Sequence, residues 1–87
     1  MYIHKKAVYI EEGDLKRIRE QITQFNGPYK YDSLTGMFKN DIGSYLDDDC
    51  VAISVYLDSI TGLRQADTYI LSISLYNNLL IVEILRP

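Results

Sequence analysis

The last third of the chain contains the pattern that most restricts the fold. Two apolar runs, DTYILSISLY and LLIVEILR, are separated by Asn77 and Asn78. Asparagine tolerates a positive φ, which a two-residue type I′ turn requires at both central positions. The pattern therefore predicts an antiparallel hairpin in which Tyr76 pairs with Leu79.

This register collects apolar side chains on one face of the hairpin, because side chains alternate along a strand. The predicted cross-strand pairs are Leu75 with Leu80, Ile73 with Val82 and Leu71 with Ile84. A shift of one residue would move serines onto the same face, so the register should be well defined. We expect a helix to cover this apolar face.

Residues 15–26 have the features of that helix. Asp14 is positioned to cap its beginning, and Asn26-Gly27-Pro28 ends it. Apolar residues recur between these points at three- and four-residue spacing, which indicates a helix with one apolar side; they are Leu15, Ile18, Ile22 and Phe25. The preceding residues 7–10, AVYI, are typical of a first strand.

One short phrase, Asp-Ser-aliphatic-Thr-Gly, occurs twice, at residues 32–36 and 58–62. In the second copy, apolar alternation over residues 50–57 predicts a strand, and the phrase then forms a hairpin loop with Ile60 exposed at its tip. The first copy fits two structures. One is a hairpin of residues 29–31 with 37–39, and the other, favoured by the apolar spacing, is a helix over residues 34–46.

Together these elements predict one α+β domain spanning residues 1–87. It has a single antiparallel β-sheet of about four strands, in the order β-α-(α)-β-β-β. The sheet packs against one amphipathic helix, and the tyrosines at 9, 45 and 69 contribute to the core. The four residues Arg64-Gln65-Ala66-Asp67 interrupt the apolar alternation, which indicates a bulge or an exposed strand end.

The charge of the chain argues against nucleic acid as a direct partner. The net charge is −3, and residues 31–87 contain eight acidic and only three basic side chains. Such a chain is a poor ligand for a phosphate backbone, but its acidic surface suits a basic protein. No apolar stretch is long enough to span a membrane. Because Cys50 is the only cysteine, no internal disulfide can form, and we expect a cytoplasmic location.

The sequence contains no recognisable catalytic set. His4 is the only histidine, and the consecutive acids Asp47, Asp48 and Asp49 lack the alternating spacing of a calcium loop. There is no glycine-rich phosphate loop and no histidine or cysteine pattern for a metal. The sequence therefore predicts no catalytic residue, no metal and no cofactor.

Eight tyrosines without a tryptophan are more informative, because tyrosine provides a large, rigid contact surface with a polar tip. These features favour a non-catalytic inhibitor or sequestering module, such as a phage-encoded anti-defence protein, an immunity protein or an antitoxin. Its partner would be basic, for example a nuclease. The predicted partner-binding residues are Asp47, Asp48, Asp49, Asp58, Ile60, Asp67, Tyr29, Tyr31, Tyr56 and Tyr76.

Two short stretches resemble known families. Asp32, Leu34, Thr35 and Gly36 resemble the start of the cyclase domain of diguanylate cyclases, but the signature of that active site is absent. Leu63, Arg64, Asp67 and Tyr69 resemble the last two strands of RelE/ParE-type toxins, although Ile70 stands where those toxins have arginine. The second resemblance implies the alternative function of a small ribonuclease or RNA-contacting protein.

That alternative would use the basic residues near the beginning of the chain, which are Lys5, Lys6, Lys16, Arg17 and Arg19. A third possibility is a homo-oligomer, formed through the less apolar face of the sheet or through an edge strand.

Overall fold

The computed structural model describes residues 2–87 and has an α+β fold with one antiparallel five-stranded sheet. The strands are β1 (Tyr2–Tyr9), β2 (Tyr29–Asp32), β3 (Met37–Lys39), β4 (Tyr69–Tyr76) and β5 (Leu79–Arg86). The helices are α1 (Leu15–Thr23), α2 (Leu46–Asp49) and α3 (Val51–Leu57), and a 3₁₀ turn at Glu12–Asp14 precedes α1. The predicted fold class is confirmed, with one strand more than expected.

The strand order across the sheet is β1-β5-β4-β2-β3, so the first and last strands of the chain are neighbours. The predicted hairpin of β4 and β5 is present, with Ile73 opposite Val82 and Leu75 opposite Leu80. A bulge at Leu71 shifts the register beyond that point, so that Ile70 lies opposite Ile84 in place of Leu71. A bulge or an exposed strand end was predicted at residues 64–67, and those residues form a loop before β4, with a positive φ at Asp67.

The first copy of the repeated phrase forms a hairpin turn, and the predicted helix over residues 34–46 is wrong. β2 and β3 pair directly, with Tyr31 opposite Phe38. The Asp32 carboxylate accepts a hydrogen bond from the backbone N–H of Leu34, and Gly36 has a φ of 72°. A helix would have required Gly36 to leave the left-handed conformation that closes this turn.

The second copy is also different from the prediction, because residues 51–57 form α3 and not a strand. The apolar side chains of this segment satisfy a helix as well, since Ile53 and Leu57 are four residues apart on the buried side. The repeated phrase then forms an irregular connection to β4. Ile60 lies within it at 8% exposure, so the expectation of an exposed aliphatic tip is wrong.

All three helices lie on one face of the sheet, and the core is formed between these layers. α1 contributes Ile18 and α3 contributes Ile53 and Leu57, which pack with strand residues such as Ile70 and Leu80. The predicted covering helix is therefore confirmed, although it ends at Thr23. Asp14 makes no capping hydrogen bond to it, since its carboxylate accepts one from the Tyr56 hydroxyl.

No layer formed by residues 2–87 covers the opposite face of the sheet, and we call it the open face. Cross-strand partners Tyr9, Leu79 and Tyr76 form one row of it, and Ile3, Leu85 and Tyr69 form another. Tyr9 and Tyr76 are 72% and 71% exposed. The prediction that Tyr9 and Tyr69 contribute to the core is therefore wrong, because their strand positions direct both side chains away from the helices.

Candidate functional site

The predicted acidic residues are grouped by the helices of the fold. Asp47, Asp48 and Asp49 make up most of α2, which directly precedes α3, and Asp58 is the residue that ends α3. Carboxylates before a helix are favoured by its dipole, whereas a carboxylate at its C-terminus is not. The unfavourable position of Asp58 is offset by a cation, Arg64.

Arg64 holds Asp47 and Asp58 together. Its Nε atom is 2.5 Å from a carboxylate oxygen of Asp58, and one terminal nitrogen is 3.5 Å from a carboxylate oxygen of Asp47. The Nε–H is not aligned for a hydrogen bond, so the Asp58 contact is an ion pair in character. The other terminal nitrogen donates to the carbonyl oxygen of Gly36, and the guanidinium lies over the Phe38 ring.

Asp47 and Asp58 thus share the single positive charge of Arg64. Asp48 is exposed and makes no salt bridge with any residue from 2 to 87. Asp49 is exposed as well and accepts a long hydrogen bond, 3.4 Å, from the Tyr29 hydroxyl. The acidity available to a partner is therefore concentrated on Asp48 and Asp49, with the Arg64-bound Asp47 and Asp58 beside them.

The outer side of α3 carries a feature that the sequence reading missed. Val51 and Val55, four residues apart and therefore on one side of the helix, are 58% and 65% exposed. The strand interpretation placed both valines on a buried face together with Ile53 and Leu57. In the helix, Ile53 and Leu57 face the core, whereas Val51 and Val55 face solvent. The signal that could have found the exposed valines is helical spacing, since Ile53 and Leu57 share one side of a helix and Val51 and Val55 share another.

The predicted tyrosines do not form one surface. Tyr29 is fully buried, and Tyr31 packs its ring against Phe38. Tyr56 lies half-buried between helices, donating to Asp14 at 2.5 Å and accepting from the backbone N–H of Glu11. Only Tyr76 is largely exposed, and it lies on the open face, away from the acidic helices.

Asp67 also lies apart from the other predicted acids. It forms a salt bridge with Lys30 on β2, at 3.3 Å, and this contact raises the pKa of the lysine. Both residues border a shallow hollow of about 410 Å³, next to the turn of the first hairpin. The hollow combines lysine and aspartate side chains with the exposed Leu34.

Two groups beside Asp49 have a perturbed pKa. Burial, followed by the negative charge of Asp49, raises the pKa of the Cys50 thiol to about 11. The same causes raise the pKa of the Tyr29 hydroxyl. Both groups therefore stay protonated near neutral pH, and the Cys50 thiol lacks the thiolate character of a nucleophile. Within residues 2–87, no three histidine, cysteine or acidic side chains are grouped as metal ligands require.

No family model matches the chain, and neither a curated protein nor a solved structure is significantly similar to it. The two short resemblances in the sequence therefore do not extend to a family match. None of the helices in residues 2–87 is both long and apolar enough to cross a membrane.

Proposed function

We propose that this protein is a small non-catalytic binding module that inhibits or sequesters a basic protein, such as a nuclease, through the outer side of α3. The observation that carries the proposal is the pair of exposed valines, Val51 and Val55, on a helix bounded by acidic residues. We refer to Val51, Val55 and the flanking Asp47, Asp48, Asp49 and Asp58 as the α3 patch.

The chemistry of the α3 patch resembles that of many protein interfaces. Apolar anchors at the centre of a contact supply affinity when they are desolvated, and charged residues at its rim supply steering and specificity. An acidic rim accelerates association with a basic partner. The Arg64 contacts fix the position of Asp47 and Asp58, which reduces the entropy lost on binding.

A cytoplasmic location is part of the same proposal. Cys50 is a free thiol and is fully buried, which suits a reducing compartment.

The proposal can be tested with a panel of purified basic nucleases. We expect a complex with one of them that inhibits its activity and weakens as salt is added, measured by calorimetry and by nuclease assay. The double variant Val51→Arg/Val55→Arg should bind at least about tenfold more weakly, since it places positive charge at the centre of the contact. Leu34→Arg is the control for an arginine placed elsewhere on the surface, because Leu34 is 95% exposed in the β2–β3 turn and outside the patch.

Three results would contradict the proposal. The first is the absence of any salt-sensitive complex, and the second is an equal loss of binding in the Leu34→Arg control. The third is cleavage of RNA by the chain itself. That result would favour the alternative of an RNA-contacting protein, for which Lys16, Arg17 and Arg19 form an exposed basic side of α1.

A further inference from the structure

Within residues 2–87, no strand other than β5 pairs with β1, so one backbone edge of β1 is exposed. β1 is eight residues long and pairs with β5 in a continuous register from Tyr2 opposite Arg86 to Tyr9 opposite Leu79. It contains no proline and no bulge, and the charges of Lys5 and Lys6 are what protects this edge from unselective pairing. The N–H and C=O groups that point away from β5 are therefore available to a further strand.

The side chains of β1 restrict which strand can be added. Lys5 lies on the open face, and the neighbouring Lys6 points to the helix side, where it is opposite Val82. Lys5 has Glu83 beside it on β5, but the two do not form a salt bridge within 4 Å, and Lys6 has no carboxylate partner in residues 2–87.

Pairing of β1 with β1 of a second copy is opposed by this charge. An antiparallel pair that keeps both helix layers on one side must match open-face residues with open-face residues. The two longest such registers place Lys5 opposite Lys5 or Lys6 opposite Lys6, and like charges in directly opposed positions are destabilising.

We propose that the β1 edge binds an extended, acidic segment of a partner protein, which adds to the sheet as a sixth strand. The segment has two consecutive carboxylate residues, one opposite Lys5 and one opposite Lys6, because neighbouring residues point to opposite faces. Apolar or β-branched residues flank them and pack beside Ile3 and Tyr9 on the open face. This surface is separate from the α3 patch, and the two proposals can fail independently.

The test uses two capped synthetic peptides, Thr-Val-Thr-Glu-Glu-Val-Thr-Val and the same peptide with Lys-Lys in place of Glu-Glu. We expect the acidic peptide to bind at least about tenfold more tightly than the basic one. Its binding should slow hydrogen exchange of β1 amides in the isotope-labelled protein. The variant Lys5→Glu/Lys6→Glu should bind the acidic peptide more weakly and the basic peptide more tightly than the parent protein does. Binding of the basic peptide would also show that the variant is folded.

The matched control is Lys16→Glu/Arg17→Glu on the exposed side of α1, which makes the same change in net charge. It should retain the preference for the acidic peptide. The inference is overturned if both peptides bind alike, if the α1 control changes the preference as much as the β1 variant, or if binding leaves β1 exchange unchanged. A dimer joined through β1, seen by sedimentation and crosslinking, would overturn it as well.

Discussion

A single residue, Arg64, connects the two copies of the repeated phrase. Its guanidinium donates to the carbonyl oxygen of Gly36 in the first copy and pairs with Asp58, which begins the second. It also pairs with Asp47 and lies over the Phe38 ring. The two copies fold differently, yet each places an acceptor or a carboxylate within reach of the same cation.

We expect Arg64→Gln to lower the free energy of unfolding by about 1–3 kcal/mol. The substitution leaves Asp47 and Asp58 close together without a compensating charge and removes the hydrogen bond to Gly36. The Arg64 side chain is 24% exposed, so solvent screens its ion pairs only in part. Urea unfolding measures the effect, and Arg17→Gln on the exposed side of α1 should stay within about 0.5 kcal/mol of the parent protein. An equal change in the two variants would show that the Arg64 contacts add no stability.

At the scale of elements, the turns of the sheet are defined by residues that accept a positive φ. Gly36 closes the β2–β3 turn with a φ of 72°, and Asn77 opens the β4–β5 turn with a φ of 54°. Asn78 has no positive φ, so the predicted type I′ turn, which needs two, is wrong. A positive φ at the first central position alone is the pattern of a type II′ turn.

The two asparagines of this turn should therefore respond differently to the same change. Asn77→Ala should destabilise the protein by about 1 kcal/mol, because alanine is strained in the left-handed region that asparagine tolerates. Asn78→Ala should change stability by less than about 0.5 kcal/mol, since the hydrogen bond from Ile10 is accepted by its backbone carbonyl. Thermal unfolding of both variants checks the difference. Similar losses of stability in Asn77→Ala and Asn78→Ala would argue against strain at Asn77 alone.

The elements also show which parts of the fold could be predicted from sequence. The β4–β5 hairpin was predictable because its alternation is long and a one-residue slip would bury serine. The helix at residues 51–57 was not predictable from sequence. Alternation of the apolar residues Val51, Ile53, Val55 and Leu57 fits a strand, while the four-residue spacing of Ile53 and Leu57 also fits a helix. Contacts from α1 decide between them: the Gln21 side chain accepts a hydrogen bond from the backbone N–H of Ile53.

The residues of the proposed α3 patch could be predicted only in part, for the same reason. The acidic residues around α3 were identified by composition, which does not depend on their secondary structure. The exposure of Val51 and Val55 between them depends on the helical structure of residues 51–57, so the strand interpretation did not predict it. Tyr29 and Ile60 were proposed as contact residues because their expected elements would have exposed them, whereas the observed chain path buries both.

At the scale of the whole molecule, one core lies between the helix layer and the sheet, and it includes two groups that can ionise at high pH. Cys50 and Tyr29 are fully buried. The folded protein keeps both in the neutral form, because burial and the nearby Asp49 raise the pKa of each. The unfolded chain ionises at lower pH than the folded chain, so stability must fall at alkaline pH.

For Cys50 the pH range of this loss can be stated. Its contribution is complete below its ordinary pKa of 9.0 and is lost as the pH rises to about 11. The difference corresponds to at most about 2–3 kcal/mol of unfolding free energy. Urea unfolding between about pH 8 and 11 should therefore show a shallower decline for Cys50→Ala than for the parent protein. If the unfolding free energies of the two proteins fall in parallel with pH, Cys50 is not a source of the decline. The variant Tyr29→Phe measures the separate contribution of the tyrosine.

The order in which the sheet assembles follows from the position of β1 beside β5. Tyr2 meets Arg86, so this pairing closes a loop that contains nearly the whole chain, whereas the β4–β5 hairpin closes across two residues. Loop closure costs more entropy as the loop lengthens, and distant contacts form slowly. We therefore expect β1 to be the last strand to join the sheet during folding, after β4 and β5 have paired.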